Sequence, residues 1–281
     1  MSRIEKKFNK LKSENKTCLI SYITAGDPTI SDTLDIMHTL VKSGTNIIEL
    51  GVPFSDPMAD GPIIQRACER ALIQNVSCLH IFQLVKNFRE LDSETPIVLM
   101  GYLNPIEIMG YEVFAKSAYD SGVDAILVVD LPHEEAGDIV NIFKKHKLES
   151  IFLIAPNTKI DRIKEILKYA SGFLYYISLK GVTGATSLDI SATVKQLQFI
   201  NKSINLPLAV GFGIKDANTA KILSSNADAI VIGSAIVNII ENEQNNNLKI
   251  NDKIKSLMNS IRLKLDEDLI SGAKIWVGMK N

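Results

Sequence analysis

A repeated alternation of apolar runs and amphipathic stretches constrains the fold of this chain more than any other feature. Eight short runs rich in Ile, Val and Leu recur at residues 18–24, 46–50, 96–101, 124–129, 150–155, 173–178, 207–211 and 227–232. Within these runs apolar and polar residues do not alternate, which is typical of strands buried on both faces of a parallel sheet. The pattern therefore predicts repeated strand–helix units.

Helical periodicity fills many of the gaps between these runs. The clearest helical segments are Ser31–Val41, Ile81–Leu91, Glu134–Lys145, Ile160–Tyr169 and Ser191–Ile200. Strands separated by helices form parallel βαβ units, and eight such units in about 250 residues are typical of a (β/α)8 barrel. We predict an α/β protein, a single (β/α)8 TIM barrel domain over 1–281 with an extra N-terminal helix. A doubly wound open sheet is the alternative.

A weak internal repeat supports this prediction. The same sequence pattern recurs at three predicted helix ends: Gly44, Gly122 or Asn226 ends the helix, and a polar residue then precedes a buried strand. At such positions Gly and Asn are expected to end the helix in the left-handed conformation. The polar run 241–247 is interpreted as a surface excursion before the last helix.

Composition narrows the possible partners and compartments. The chain has 281 residues, 46% hydrophobic content and a formal net charge of -1, so charge does not favour nucleic acid or an anionic membrane. Cys18, Cys68 and Cys78 lack CxxC spacing and are expected to be reduced thiols. We find neither a membrane-span pattern nor a secretion signal. The expected location is cytoplasmic, or plastid stroma if the chain is organelle-encoded.

Glu49 is a lone carboxylate at the end of the second apolar run, and Asp60 follows in the next loop. An unpaired charge is costly to bury, and barrel active sites lie at the carboxyl ends of the strands. We therefore predict that the two carboxylates face one cavity, where desolvation raises the Glu49 pKa toward neutrality. The alternative for Glu49 is a salt bridge reaching in from a loop. For Asp60 it is an ordinary Asp-Gly-Pro turn.

Glycines follow each of the last three predicted strands, in segments 181–184, 211–214 and 233–235. Glycine lets backbone N–H groups approach an anion, and a helix starting near Ser234 would direct its N-terminus at one. We predict a phosphate site there, with turn glycines as the alternative. The small residues of 179–188 are typical of a lid.

Several kinds of chemistry lack their usual sequence signals. The four histidines show no metal-ligand spacing, so we predict no metal site. The predicted strands contain no lysine for a Schiff base, and no dinucleotide or P-loop motif occurs. The prediction is cofactor-free acid–base chemistry on a phosphorylated substrate.

The segment Glu-Leu-Gly-Val-Pro-Phe-Ser-Asp-Pro-Met-Ala-Asp-Gly-Pro-Ile-Ile-Gln at 49–65 resembles the signature of the tryptophan synthase alpha chain family. Shorter similar segments are 22–28, 99–105, 130–132, 155–157, 181–184, 211–213 and 233–234. The resemblance covers about residues 18–240. It implies a lyase of tryptophan biosynthesis that cleaves indole-3-glycerol phosphate to indole and glyceraldehyde 3-phosphate, a retro-aldol reaction.

The resemblance also implies the site residues. Glu49 is the acid–base residue, Asp60 bonds the indole N–H, and Tyr175 lies beside the reacting centre. The residues implied to bind substrate are Tyr22, Met100 and Phe212 around the indole, Thr183, and Gly184, Gly213, Gly233 and Ser234 around the phosphate.

The resemblance further implies a partner, a tryptophan synthase beta chain in an alpha2beta2 heterotetramer that receives the indole. Pyridoxal phosphate is expected in that beta chain, and no cofactor in this one. Docking would use loop 53–58 and the Asn104-Pro105 turn. Two other functions stay open: a catalytically weak subunit that activates a beta partner, and a phosphosugar isomerase or epimerase that depends on metal or lysine.

Overall fold

Eight parallel strands close into one barrel in the order β1 to β8, and β1 pairs with β8 to complete it. The computed structural model describes residues 1–177, 190–211 and 213–270, the last three without their side chains. The strands are β1 (Cys18–Thr24), β2 (Ile47–Gly51), β3 (Ile97–Gly101), β4 (Ala125–Val128), β5 (Glu149–Ile154), β6 (Leu174–Ile177), β7 (Leu208–Gly211) and β8 (Ala229–Ile232). The predicted barrel is confirmed, and each strand begins and ends within two residues of its predicted run.

Helices surround the barrel, and the predicted extra N-terminal helix is present as α1. In chain order they are α1 (Arg3–Ser13), α2 (Ile30–Lys42), α3 (Pro62–Ile73), α4 (Cys78–Arg89), α5 (Leu103–Met109), α6 (Tyr111–Ser121), α7 (Gly137–Lys145), α8 (Ile160–Ile166), α9 (Ile190–Asn201), α10 (Ala217–Ser224), α11 (Ser234–Glu243) and α12 (Asn247–Ile270). The predicted segments begin or end up to three residues away from α4, α7 and α8. Apolar periodicity continues into caps and turns, and it locates a helix better than its ends.

The core has two layers. Inward side chains of the strands, including Ile20, Ile47 and Val98, form the barrel interior. The apolar face of α1 joins the same layer through Ile4 and Phe8, so this helix closes the N-terminal end of the barrel. A larger layer fills the space between the strands and the outer helices. With one end closed by α1, the opposite end, where the strands finish, is the open one.

A network of charged side chains around Asp124 joins several elements at the end of the barrel that α1 closes. Asp124, just before β4, accepts hydrogen bonds from Arg89 at 2.9 Å, from Arg3 at 3.0 Å and from the Ile97 N–H at 2.8 Å. Arg89 donates further bonds to backbone carbonyls, among them that of Gly122 at 2.8 Å. This network joins α1, α4 and two strands on the face opposite the strand ends.

Two details of the predicted organisation are wrong. Gly44 and Gly122 have φ values of +97° and +95°, as expected, but Asn226 does not adopt positive φ. There α10 ends through Ser225 in the right-handed region. The run 241–247 is not an excursion, because Glu241 belongs to α11 and α12 begins at Asn247. Arg66 and Arg70 form ion pairs with Glu241, which explains the charged residue at this position of α11.

The cysteines agree with the prediction of free thiols: Cys18 and Cys68 are buried, Cys78 is half-buried, and all three are unpaired. Among the described helices, none combines the length and the apolar character that a bilayer crossing requires.

Candidate active site

Glu49 lies inside the barrel near its open end. It is on β2, opposite Tyr22 of β1 and Val98 of β3, and it shares the inward phase of Ile47 two residues earlier. The residue is 1% exposed, and neither carboxylate oxygen accepts a hydrogen bond from any described residue. No described lysine or arginine forms a salt bridge with it. Burial, together with the nearby charge of Asp60, raises the pKa of Glu49 to about 8.

Asp60 lies in the loop that joins β2 to α3. Its Oδ2 accepts a hydrogen bond from the Tyr102 hydroxyl at 3.0 Å, and its carbonyl accepts one from the Gln65 side chain at 2.9 Å. Burial raises the pKa of Asp60 to about 6, and the Tyr102 hydrogen bond opposes that rise by stabilising the anion. The charge of Asp60 in turn contributes to the raised pKa of Glu49, after the larger effect of burial.

Tyr102 is a site residue that the sequence patterns do not single out. It follows β3 directly, is 3% exposed, and is the N-cap residue of α5. Its hydroxyl accepts a hydrogen bond from the Ala59 N–H at 3.0 Å while donating to Asp60, and its ring lies 5.3 Å from that of Phe54. The available signal was a tyrosine immediately after a predicted strand, which is where barrel sites lie. Tyr102 holds the Asp60 loop against the end of β3.

Tyr22 lies beside Glu49 on the neighbouring strand β1, and Tyr175 is on β6, across the barrel. Each ring lies over a glycine of the next strand: a Cβ on Gly51 would come within 2.3 Å of the Tyr22 hydroxyl oxygen, and one on Gly211 within 2.4 Å of that of Tyr175. The glycines therefore make room for two large inward side chains. Burial and the nearby Glu49 charge hold the pKa of both phenols well above its ordinary value, so both are neutral.

The other predicted site residues fall around this opening where they are described. Met100 is on β3 beside Gly51 of β2 and packs with Tyr22. Gly213, after β7, has a φ of +78°, which favours glycine. Gly233 and Ser234 begin α11 directly after β8. Thr183, Gly184 and Phe212, and with them the whole of the predicted lid at 179–188, lie outside the described residues.

Glu49 and Asp60 are two carboxyl groups whose pKa values are raised by different amounts. Burial raises the pKa to about 8 for Glu49 and to about 6 for Asp60. Carboxyl groups with separated pKa values can act as an acid and as a charged stabiliser at the same pH. In the described part of the chain, no group of three or more His, Cys, Asp or Glu side chains could hold a metal ion.

The comparison with known families decides the identity. Residues 8–265 match the family model described as Tryptophan synthase alpha chain. The chain belongs to the tryptophan synthase alpha chain family. It is therefore an alpha subunit and a lyase of tryptophan biosynthesis.

Individual alpha chains agree in sequence and structure. The tryptophan synthase alpha chain of Thioalkalivibrio sulfidiphilus is 56% identical over 245 residues, which are 87% of this chain and 92% of the relative. The solved alpha subunit of Legionella pneumophila str. Paris superposes with a TM-score of 0.90 at 43% identity, covering 95% of this chain and 99% of that one. An alpha chain from the tryptophan synthase a2b2 complex of Pyrococcus furiosus superposes with a TM-score of 0.80 at 39% identity. The match covers 88% of this chain and 98% of that one.

Proposed function

We propose that this chain cleaves indole-3-glycerol phosphate to indole and glyceraldehyde 3-phosphate by a retro-aldol reaction. The observation that carries the proposal is the Glu49 carboxyl, buried without a hydrogen-bond partner among the described residues. We infer that it faces the same space as Asp60, whose charge contributes to its raised pKa. A group held in that costly state is typical of a catalytic acid. Family membership supplies the reaction to which such an acid belongs.

In the proposed mechanism Glu49 first donates a proton and then accepts a different one. As a neutral acid it protonates the indole carbon that bears the glycerol chain, which removes aromaticity and leaves a cationic ring. Its carboxylate then accepts the proton of the adjacent glycerol hydroxyl. As the aldehyde forms, the carbon–carbon bond breaks and its electrons return to the ring, restoring indole and neutral Glu49.

The remaining groups stabilise and hold the substrate. Ionised Asp60 accepts the hydrogen bond of the indole N–H and stabilises the cation, while Tyr22, Tyr175 and Met100 bound the ring. The phosphate binds at Gly213, Gly233 and Ser234. This placement is supported by the start of α11 at Ser234, because the first N–H groups of a helix have no partner within it and attract anions.

We propose further that this chain needs no cofactor of its own, because proton transfer and charge stabilisation are the only tasks and carboxylates perform both. The whole of 1–281 is proposed to be one domain. The single closed barrel and the family match over 8–265 support that assignment.

The test is turnover of indole-3-glycerol phosphate by the purified chain, alone and with a tryptophan synthase beta chain. We expect indole release by the isolated chain and faster release in the complex. Background rates in both assays would leave only the role of activating a partner. Activity that disappears on addition of a chelator would favour a metal-dependent isomerase or epimerase instead.

The two shifted pKa values predict the pH dependence of the reaction. Asp60 must be ionised, which requires a pH above about 6, and Glu49 must begin protonated, which requires a pH below about 8. We expect kcat/KM of the isolated chain to form a bell with these limits. In Asp60→Asn the acidic limb should vanish while the alkaline limb remains.

Tyr102→Phe provides the matched variant for the acidic limb. It removes only the hydroxyl that favours ionised Asp60, so the Asp60 pKa should rise and the acidic limb should move to higher pH. The alkaline limb should move less, because no hydrogen bond joins Tyr102 to Glu49. A flat profile, or an acidic limb unmoved in Tyr102→Phe, would contradict these assignments.

We propose that the beta chain docks on the rim formed by loop 53–58 and α5. The Pyrococcus furiosus neighbour comes from an a2b2 complex. In this chain Tyr102 holds the loop against the start of α5, and each segment presents an exposed apolar side chain, Met58 at 79% and Ile108 at 83%. Apolar side chains exposed beside an active-site opening are typical of an interaction surface.

Met58→Asp and Ile108→Asp are each expected to weaken binding of a tryptophan synthase beta chain by about tenfold or more, as losing one well-packed interface side chain does. Titration calorimetry would measure the Kd. Leu91→Asp is the matched control, since Leu91 is also 83% exposed but follows α4 at the closed end of the barrel. Equal weakening by all three substitutions would place the interface elsewhere.

A further inference from the structure

Arg70 of α3 joins two acidic side chains from distant parts of the chain. Its guanidinium donates two parallel hydrogen bonds to Asp27, from Nε and Nη2, each at 2.8 Å. Its third nitrogen, Nη1, donates to Glu241 of α11 at 3.0 Å. All three guanidinium nitrogens are therefore used, and such a planar fork fixes its partners in orientation as well as in distance.

The cluster is largely removed from water. The Asp27 side chain is 0% exposed, that of Arg70 17% and that of Glu241 21%. Arg66, one helical turn earlier on α3, donates two hydrogen bonds to Glu241, at 2.5 and 2.8 Å. The buried Asp27–Arg70 pair is therefore screened little by salt.

The three elements joined by Arg70 each lead into the site. Asp27 lies in the loop after β1, three residues beyond its end. Helix α3 follows the Asp60 loop and holds the Asp60 carbonyl through Gln65. Helix α11 begins at Ser234, and Glu241 lies seven residues, or roughly 10 Å, along it.

The position of Glu241 is unfavourable for α11 taken alone. Glu241 and Glu243 both lie in its last turn, where the helix dipole disfavours negative charge. Each is neutralised from another element, Glu241 by the arginines of α3 and Glu243 by Lys253 of α12. These acids serve as attachment points rather than as helix-stabilising residues.

We propose that Arg70 is a positioning residue, which sets the distance between the α11 N-terminus and the Asp60 loop through its bonds to Glu241 and Asp27. The inference rests on the proposed phosphate site at Gly233 and Ser234. The substrate must reach from that phosphate to the carboxylates, so the spacing governs how well both ends bind at once. Glu49, on β2, does not contact the cluster.

The test compares Arg70→Lys with the wild type. A lysine can keep one carboxylate but not both, because it lacks the fork. We expect the Kd for 3-(indol-3-yl)propyl phosphate, which has both ends of the substrate but no hydroxyl to drive cleavage, to rise about tenfold in calorimetry. The KM for indole-3-glycerol phosphate should rise by a similar factor. This is below the roughly 10²-fold cost of misplacing a group by 1 Å. The value of kcat should fall less than threefold.

Arg89→Lys is the matched control. Arg89 is an arginine of similar exposure, 11%, that joins Asp124 and backbone carbonyls at the closed end of the barrel. The Arg89→Lys substitution should lower the melting temperature without changing Kd or KM. Glu241→Gln keeps a hydrogen-bond acceptor for Arg70 and should raise both constants by a smaller factor than Arg70→Lys.

The outcomes separate this inference from the proposed function. Wild-type turnover combined with unchanged Kd and KM in Arg70→Lys and Glu241→Gln would overturn the positioning role alone. Equal changes in Arg89→Lys would also overturn it, since they would report general destabilisation. If the wild type has no turnover but its affinity for 3-(indol-3-yl)propyl phosphate still depends on Arg70, the reaction is refuted and the positioning role is supported.

Discussion

Glu49→Gln is expected to fold like the wild type and to lose at least about 10²-fold in kcat for indole-3-glycerol phosphate cleavage, the lower end for removing one acid–base group. Glutamine has nearly the same shape as glutamate, and the described structure contains no hydrogen bond to Glu49 that the change would break. It cannot deliver the proton that the ring must receive. Steady-state turnover of the isolated chain measures the loss.

Binding separates a chemical defect from a structural one. The Kd for glycerol 3-phosphate should be unchanged in Glu49→Gln, because the proposed phosphate site lies at α11 and not at β2. Turnover within tenfold of the wild type would remove Glu49 from the mechanism. A parallel loss of phosphate affinity would mean that the barrel opening had rearranged.

Glu49→Met is expected to make the protein more stable, and by more as the pH rises. Burial raises the Glu49 pKa from its ordinary 4.5 to about 8, so the native state holds this proton over a pH range in which the unfolded chain has released it. Since the native state binds more protons there, the free energy of unfolding falls as pH rises from about 4.5 to 8. Methionine has no such charge and a similar volume.

The size follows from the pKa difference, since a tenfold change in proton affinity corresponds to 1.36 kcal/mol. At pH 9 the wild type carries nearly the full penalty, and Glu49→Met should gain about 3–5 kcal/mol in the free energy of unfolding. At pH 5 the gain from this source should be about 1 kcal/mol or less. Urea unfolding at both pH values tests the prediction, with Leu91→Met as an exposed control. A gain that does not grow with pH would contradict it.

The two predictions describe the same property of one side chain. Glu49 costs stability because it is buried without a partner among the described residues, and that same burial keeps it protonated where the reaction needs an acid. A substitution such as Glu49→Met would therefore stabilise the protein and abolish the proposed catalysis, a trade-off typical of active sites.

The barrel was predictable because burial on both faces leaves a direct mark on each strand. Runs such as 18–24 are apolar without alternation, which indicates a parallel sheet covered on both faces. The number of strand–helix units favoured a closed barrel over a doubly wound open sheet. Glu49 was predictable for the complementary reason. A carboxylate that ends an apolar run is conspicuous, and the barrel topology places it at the open end.

Tyr102 and Arg70 were not predictable in the same way. The Tyr102 hydroxyl reaches Asp60 across 42 positions of sequence, and Arg70 reaches Glu241 across 171. Both residues are of types common on any surface, and only their partners give them a role. The polar run at 241–247 carried no sign that Glu241 is held by two arginines.

The sequence by itself determined the order of strands and helices, and it placed the Glu49 carboxylate at the end of an apolar strand. Those properties depend on hydrophobic burial, which is written residue by residue along the chain. Only the tertiary structure decided which polar side chains meet over that group. A hydrogen bond or an ion pair depends on ångström distances between segments far apart in sequence, and closure of the barrel sets those distances.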